Sequence, residues 1–309
     1  MTEQNKISII IVNYNVKDFI LACLDSVCKF SDNLNLEIIV VDNNSTDGSA
    51  IEIKKKFPQV ILIENNFNAG FSGANNQGIK ASTGDFIFLL NPDTEVCEHA
   101  LTKLFEFAQS NKSKVIIAPQ LLNTNQSIQP SAWKNPSIFN LISGAFFLHH
   151  FFNFSYYYIE NYQHSFEAKT LSGAALFFHK NLIRKIGFLD ENLFWMEDID
   201  FCYRAQSVGE IYYFSESKII HHGGQSSIQN YKITISNQLM SKLKFFKKHT
   251  RKIIFLTAYF FVLIHIILHI FIFSMMFPFS KLARKKWNAY IFTLKKYFSY
   301  IINNDLKIV

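Results

Sequence analysis

FIFLLNPDTEV, residues 86–96, is the stretch on which the fold turns. Five consecutive apolar residues run into Asn91-Pro92-Asp93. A continuous apolar run of this length suits a strand covered on both faces, as in a parallel sheet, rather than one with a wet face. Proline cannot donate to a ladder, so the strand stops there and Asp93 stands just past its carboxyl end.

Working outward, the same pattern recurs. Residues 7–12 (ISIIIV), 37–41 (EIIVV), 60–63 (VILI) and 115–118 (VIIA) are short, mostly apolar and rich in β-branched residues. Helix-like segments separate them, and Ser49 with Glu52 fits a capping box at the head of one. Alternating strands and helices predict an α/β layered sheet, mostly parallel, with helices on both faces. In such sheets ligands bind at the carboxyl ends of the strands. Those ends are polar here: Asn13-Tyr14-Asn15, Asp42-Asn43-Asn44 and Asn91-Pro92-Asp93, with an Asn- and Gly-rich loop expected over 65–78. Any one cluster reads as ordinary turn chemistry. Four on one edge point to a site. Gly70 and Gly73 would let backbone come close to a ligand.

A second cluster lies downstream, in LSGAALFFHK (171–180), IGFLDENLFWMEDIDFCYRAQSVG (186–209) and HHGGQSS (221–227). Glu197, Asp198 and Asp200 precede a helical stretch, where negative charge is favourable, and Asp200 with Arg204 has ion-pair spacing. Phe194, Trp195 and Met196 put the acids in apolar company, which raises a carboxyl pKa toward that of a useful base.

Charge is unevenly spread. The chain of 309 residues carries a net +7, yet residues 241–309 hold 13 Lys and Arg against a single acid, Asp305. The remainder is therefore net acidic, which disfavours a nucleic-acid binder. The basic end is interleaved with apolar sequence. Residues 253–277 contain no formal charge, and 25 helical residues reach about 37 Å, enough to cross a bilayer with tilt. Trp287, Tyr290, Ile291, Leu294, Phe298 and Ile301 then follow helical spacing between lysines, as in an interfacial helix over about 284–301. Both flanks of the apolar run are basic, so a span, a re-entrant segment and an interface-lying helix stay open. Two domains are expected, a catalytic one over 1–238 and a membrane-associated region over 239–309. The segment 139–158, with nine Phe and Tyr, reads either as core or as an acceptor or membrane surface; His149 and His150 within it read as packed or exposed rather than ligating. Cys23, Cys28, Cys97 and Cys202 lack CxxC spacing, and the short apolar run after MTEQNK is unlike a signal peptide. Both observations predict a cytoplasmic catalytic part with reduced thiols.

Taken together, SIIIVNYN (8–15), VVDNNSTDGS (40–49), N-x-N-x-GF-x-x-ANNQGI (66–79), GD…LLNPD (84–93), GFLDE…F-x-MEDIDFCYR (187–204) and HHGGQSS (221–227) resemble the family 2 glycosyltransferases over about residues 6–235. The NPD and HHGG forms are most similar to the rhamnosyltransferase-like subgroup that builds bacterial surface polysaccharides. The resemblance implies a GT-A fold for nucleotide-diphospho-sugar transfer and an inverting reaction. It implies nucleotide-sugar contacts at Asn13, Asn15, Asp42, Asn68, Gly70, Asn75, Asn91 and Asp93. It implies Asp198 as catalytic base with Glu197 beside it, and an acceptor side at Ser172, Gly173 and Trp195. The family's Asp-x-Asp motif holds Mg²⁺ or Mn²⁺ on the donor diphosphate. Asn91 replaces its first Asp, leaving Asp93, with His221 aligned as a further ligand and His222 as its rival. The expected donor is dTDP-rhamnose or a UDP-sugar, and the expected acceptor a lipid-linked saccharide or surface polysaccharide at the cytoplasmic membrane face. The alternatives are a polyprenyl-phosphate glycosyltransferase and an inactive membrane-bound subunit. A dehydrogenase is set aside because no GxGxxG turn follows the first strand.

Overall fold

The computed structural model describes residues 5–31, 34–146, 148, 161–223 and 231–303. His149, His150 and the end of the HHGGQSS stretch lie outside the described residues. In chain order the elements are β1 (Ile7–Asn13), α1 (Lys17–Lys29), β2 (Leu36–Asp42), α2 (Ser49–Lys56), β3 (Ile61–Glu64), α3 (Gly70–Ala81), β4 (Phe86–Leu90) and β5 (Thr94–Val96). There follow α4 (Ala100–Ser110), β6 (Lys114–Leu122), β7 (Ile128–Gln129), β8 (Ala132–Trp133), α5 (Ile138–Ala145), β9 (Phe166–Ala168), β10 (Thr170–Leu171) and β11 (Ala175–His179). The chain continues through α6 (Asn181–Ile186), α7 (Glu197–Ala205), β12 (Glu210–His221), α8 (Tyr231–His249), α9 (Lys252–Met276) and α10 (Lys281–Asn303). All five strands read from the sequence are present.

The chain divides into two compact units. The first comprises 1–134, 157–191 and 197–226 and contains the main sheet, ordered β3-β2-β1-β4-β11-β6-β12-β5. From β3 to β4 every pairing is parallel. Beyond β4 the sheet is mixed, because β11 is inserted antiparallel between β4 and β6. Both faces are covered, as the unbroken apolar runs require. Ile7, Ile9 and Ile11 pack with α1, α2 and α4, while Ile10 and Val12 pack with α3, α6 and α7. The alternation of β1 thus serves two cores at once.

Two local readings are corrected. Residues 65–78 are not a loop throughout, since α3 starts at Gly70. Its small residues allow close packing on the sheet: a Cβ at Gly78 would stand 2.4 Å from Ile10 Cγ2. Ser49 is not a capping residue either. The N-cap of α2 is the left-handed Gly48. The Ser49 hydroxyl instead donates to Asp47 Oδ1 at 2.6 Å and accepts from Asn13 Nδ2 at 2.7 Å.

The second unit comprises 135–156, 192–196 and 227–309. Its core joins Leu141 of α5 to Leu239 and Leu243 of α8, Val262 and Ile266 of α9, and Tyr290 and Tyr297 of α10. The start of the aromatic segment therefore packs with the C-terminal helices. A capping box of Ser137 and Asn140 starts α5. α9 is long and apolar enough to cross a membrane, by length and composition. Ile253, Leu256, Phe260, Ile267, Phe271 and Met275 are exposed along it. Residues 192–196 are tied to α8 by Phe194 N–H donating to Ser241 Oγ at 2.9 Å and Lys244 Nζ donating to Asn192 O at 2.7 Å.

At the amino end of the sheet Glu37 is nearly buried. Burial alone would push its carboxyl up, but donation from Lys6, Ser8 and Thr83 outweighs that and holds it down at about 2. Its contribution to stability is present above the ordinary value of about 4.5 and is lost as pH falls toward 2. Glu37→Gln should therefore lower stability at pH 7 by on the order of 3 kcal/mol and flatten the acid limb between pH 5 and pH 2, as read by urea unfolding against pH.

Candidate active site at the carboxyl edge of the sheet

Strand register assembles the site. Asn13 pairs with Asp42 across β1 and β2, and Ile11 pairs with Leu90 across β1 and β4. Three polar strand ends are thereby aligned on one edge. Asn13 Nδ2 donates to Asp42 Oδ1 at 2.6 Å, and Ser45 N–H donates to Asp42 Oδ2 at 2.9 Å. Both carboxylate oxygens of the buried Asp42 are held by protein donors, so its orientation is fixed, with lone pairs to spare. Asn13 Oδ1 is buried without a hydrogen-bond partner. Asn15 adopts left-handed backbone at φ 53, and its Oδ1 accepts from Thr46 N–H at 2.7 Å.

α3 supplies the next wall. Asn68 Oδ1 accepts from Gly70 N–H at 2.9 Å, and Gly70 is left-handed at φ +73 with open space where a Cβ would be. Gly73 is not open in this way: a Cβ there would meet Ala69 Cβ at 3.3 Å within the helix. Asn75 turns its amide to its own helix, donating to Phe71 O at 3.0 Å. The neighbouring Asn76, which the sequence reading passed over, binds Leu189 O and Glu191 Oε1, each at 2.9 Å. Asn43, read from the sequence only as part of a polar strand end, accepts at Oδ1 from Asn65 Nδ2 at 3.0 Å and donates from Nδ2 to Gly70 O at 3.3 Å.

β4 and β11 carry the centre. Asn91 N–H donates to Ala174 O at 2.9 Å, so the turn Ser172-Gly173-Ala174 abuts the end of β4. Gly173 N–H donates in turn to Asp198 Oδ2 at 2.8 Å, and Ile199 N–H donates to Asp198 Oδ1 at 2.8 Å. A side chain at Gly173 would crowd Asp198, with a Cβ 3.2 Å from Asp198 Cβ. Ser172 is anchored through its backbone to Ser131 O at 2.9 Å. Burial pushes the Asp198 carboxyl up, only partly offset by those two N–H donors. Its neighbour Asp200 is fully buried and meets Arg204 Nε at 2.8 Å, with the i,i+4 spacing read from the sequence. Arg204 Nη2 also reaches Phe188 O at 2.9 Å, so this pair fastens α7 to the 186–188 turn. Glu197 begins α7 beside Asp198. Trp195 belongs to the second unit, where it is 44% exposed and left-handed at φ 70, a strained backbone for a bulky residue.

Antiparallel pairing of β12 with β5 sets His221 opposite Thr94. His221 Nε2 then lies 3.4 Å from Asp93 Oδ1, both side chains being largely buried. His222 goes elsewhere, its Nε2 2.7 Å from Glu95 Oε1. The sequence did not disclose Gln129. Its Nε2 donates to Asn123 Oδ1 at 3.1 Å, which turns its Oε1 toward His221 Nδ1 at 2.7 Å. Nδ1 thus donates to Gln129, and Nε2 is the nitrogen turned toward Asp93. His221 Nε2 has no hydrogen-bond partner. An imidazole nitrogen without a hydrogen-bond partner beside a carboxylate oxygen is a pair of groups that a cation could bridge. A histidine oriented through its other N–H is the usual supporting arrangement for a metal ligand. The donor set, one carboxylate and one imidazole, fits a divalent cation. Among the described residues no cluster of three or more His, Cys, Asp and Glu side chains could hold a metal.

The described cysteines are all free thiols. A cavity of about 590 Å³ lies at the opposite end of β4, lined by Phe86, His179 and three lysines but no carboxylate.

The family model described as Glycosyl transferase family 2 matches residues 8–187, more than half of the chain. A poly(ribitol-phosphate) beta-glucosyltransferase of Bacillus spizizenii is 34% identical over 140 residues, 43% of this chain but only 22% of that protein. An N-acetylglucosaminyl-diphospho-decaprenol L-rhamnosyltransferase of Mycobacterium tuberculosis is 24% identical over 210 residues, 62% of this chain and 68% of that one. Among solved structures, the mannosyltransferase PcManGT of Pyrobaculum calidifontis, in complex with GDP-Man and Mn²⁺, superposes with a TM-score of 0.56 at 12% identity, covering 98% of this chain and 89% of that one. This last likeness establishes the GT-A fold.

The Gln129 contact has a spectroscopic consequence. In ¹⁵N NMR of the metal-free protein, neutral His221 should carry its proton on Nδ1. Gln129→Leu should move it to Nε2, where Asp93 can accept it. An unchanged tautomer would remove Gln129 from the site.

Proposed function

The chain belongs to glycosyl transferase family 2, and from that premise we propose that it is an inverting enzyme moving a sugar from a nucleoside-diphosphate donor to a lipid-linked saccharide. The single observation that carries this reading is the pairing of Asp198 with the Gly173 N–H, at the same strand edge as Asp42 and Asp93. The nucleoside would lie over Asn13, Asn15 and Asp42. The unpartnered Asn13 Oδ1 offers an acceptor to a base or ribose donor. Asn68 and Gly70, at the start of α3, would border the donor, and the positive end of that helix favours a phosphate nearby. Asn75 and Asn91 would shape the same pocket.

Asp93 and His221 would hold Mg²⁺ or Mn²⁺. When bound, the ion would offset charge on the departing diphosphate. Asp198 would accept the proton of the acceptor hydroxyl as that oxygen forms its bond to the anomeric carbon and the diphosphate oxygen leaves. A single displacement of this kind inverts the anomeric centre. Desolvation suits Asp198 to the task, because it raises the basicity of the carboxylate. Glu197, Ser172 and Gly173 would form the acceptor side.

Two features favour a membrane-borne acceptor. α9 is long and apolar enough to cross a bilayer. The mycobacterial relative is named for a diphospho-decaprenol acceptor. Work at the cytoplasmic face, from dTDP-rhamnose or a UDP-sugar and in surface-polysaccharide synthesis, is the reading these features support.

The test is nucleoside diphosphate release from UDP-, dTDP- and GDP-sugars, with Mn²⁺, Mg²⁺ or EDTA and a membrane lipid extract as acceptor source. Asp198→Asn should lower kcat by about 10²–10⁴-fold with little change in donor KM. Asp93→Ala should raise the Mn²⁺ needed for half-maximal rate. Because Asp198 must be deprotonated, kcat/KM should fall as pH drops through its raised pKa, on an acid limb above that of an ordinary aspartate. Unchanged turnover in Asp198→Asn would overturn the assignment.

A further inference from the structure

The cavity of about 590 Å³ lies wholly within the first unit, where β4 begins, and shares no lining residue with the site at the carboxyl edge. Its origin is in the strand pairing. β11 keeps register with β4 along its whole length, from Ala175 opposite Leu90 to His179 opposite Phe86. Against β6 it pairs at one position, Phe177 with Ile117. Past that pair the two strands form no further ladder. The space between them is walled by the end of β11, the start of β6, α4 and α6.

The wall is divided by polarity. Phe86, Phe177, Ile117 and Leu182 contribute buried apolar surface, and the Phe86 and Phe177 rings stack at 5.3 Å between centroids. Lys112, Lys114, Lys185 and His179 contribute the charged and titratable side chains, and no Asp or Glu lines the cavity. Lys114 is already paired with Glu210. Lys112 and Lys185 are exposed, and neither has an ion-pair partner among the described residues. His179 Nδ1 accepts from Asn181 N–H at 3.1 Å, which leaves Nε2 to donate, and its ring meets Phe86 edge to face at 5.0 Å. Two free ammonium groups and one imidazole donor thus rim a pocket whose deeper wall is apolar.

That division matches a molecule with a compact anionic head and an apolar body. Ammonium donors make short, strong bonds to phosphate and carboxylate oxygens. The volume is that of a small-molecule site. We propose that this cavity binds a soluble, amphiphilic organic anion, its phosphate or carboxylate head on Lys112, Lys185 and His179 and its apolar body against Phe86 and Leu182. The site is additional to the one proposed for sugar transfer and does not depend on that reading.

The test uses the full chain in phosphatidylcholine nanodiscs, with EDTA and no sugar nucleotide. Acetylation of each lysine is followed by mass spectrometry, so the readout reports position as well as affinity. The probe is 1-naphthyl phosphate, set against inorganic phosphate, neutral 1-naphthol and cationic 1-naphthylmethylamine. At saturation 1-naphthyl phosphate should slow acetylation of Lys112 and Lys185 at least about fivefold and leave the exposed Lys55 of α2 unchanged. Inorganic phosphate and 1-naphthol should each need at least about tenfold more for the same protection, because each supplies half of the contacts. Lys185→Gln, read at Lys112, and Lys112→Gln, read at Lys185, should each weaken binding about tenfold. Gln109→Trp, which puts bulk on the rim from an exposed position of α4, should abolish protection at both lysines. These three positions are exposed, so the variants should fold. Absence of protection would overturn the proposal. Equal protection by inorganic phosphate would reduce the effect to surface charge and overturn it, as would protection that survives Gln109→Trp or is matched by the cationic probe. Protection by phosphatidylglycerol in the disc but not by the soluble probe would make this a membrane-facing patch and overturn the soluble ligand. Donor turnover, measured separately, reports on the transferase reading alone.

Discussion

The parallel register of β1 between β2 and β4 is the constraint on which the site depends. A slip of one residue would turn Ile9 and Ile11 from the α1 side of the sheet to the α3 side and exchange both cores. The same register sets Asn13 against Asp42 and brings β4 to its end beside them. Burial on both faces fixes the alignment, and the alignment places the polar ends. The apolar runs and the polar ends are therefore two consequences of one arrangement.

From that edge, short links pass through backbone groups. Asn91 N–H holds Ala174 O, and Gly173 N–H holds Asp198. Backbone donors do not change rotamer, so the carboxylate proposed as base is positioned by the sheet itself. β12 closes the other side, presenting His221 to Asp93 because its pairing with β5 sets His221 opposite Thr94. On the proposed reading, donor, cation and base are set by the ends of β1, β2, β4, β11 and β12, with side chains supplying only the last contact.

Much of this was legible in the sequence, and for definite reasons. The strands were visible because both their faces are buried, and ISIIIV has no other stable use in an α/β pattern. Asp200 and Arg204 were visible because helix spacing alone brings them together. What escaped depended on tertiary pairing. Gln129 lies 92 residues from His221, so no local pattern could join them. α3 escaped because its glycines and asparagines imitate a loop; the helix is favoured where Gly78 packs onto Ile10. Ser49 looked like a cap but is used by Asn13 and Asp47 across the fold. The joining of α5 to the C-terminal helices is likewise a long-range event that composition does not encode.

The central claim is a single displacement at the anomeric carbon, driven by Asp198. The most direct measurement is the anomeric configuration of the transferred sugar, read from the ¹H–¹³C coupling of the product made from whichever donor turns over. The account predicts inversion relative to the donor in every product molecule. Retention would mean two successive displacements rather than one, and would contradict it.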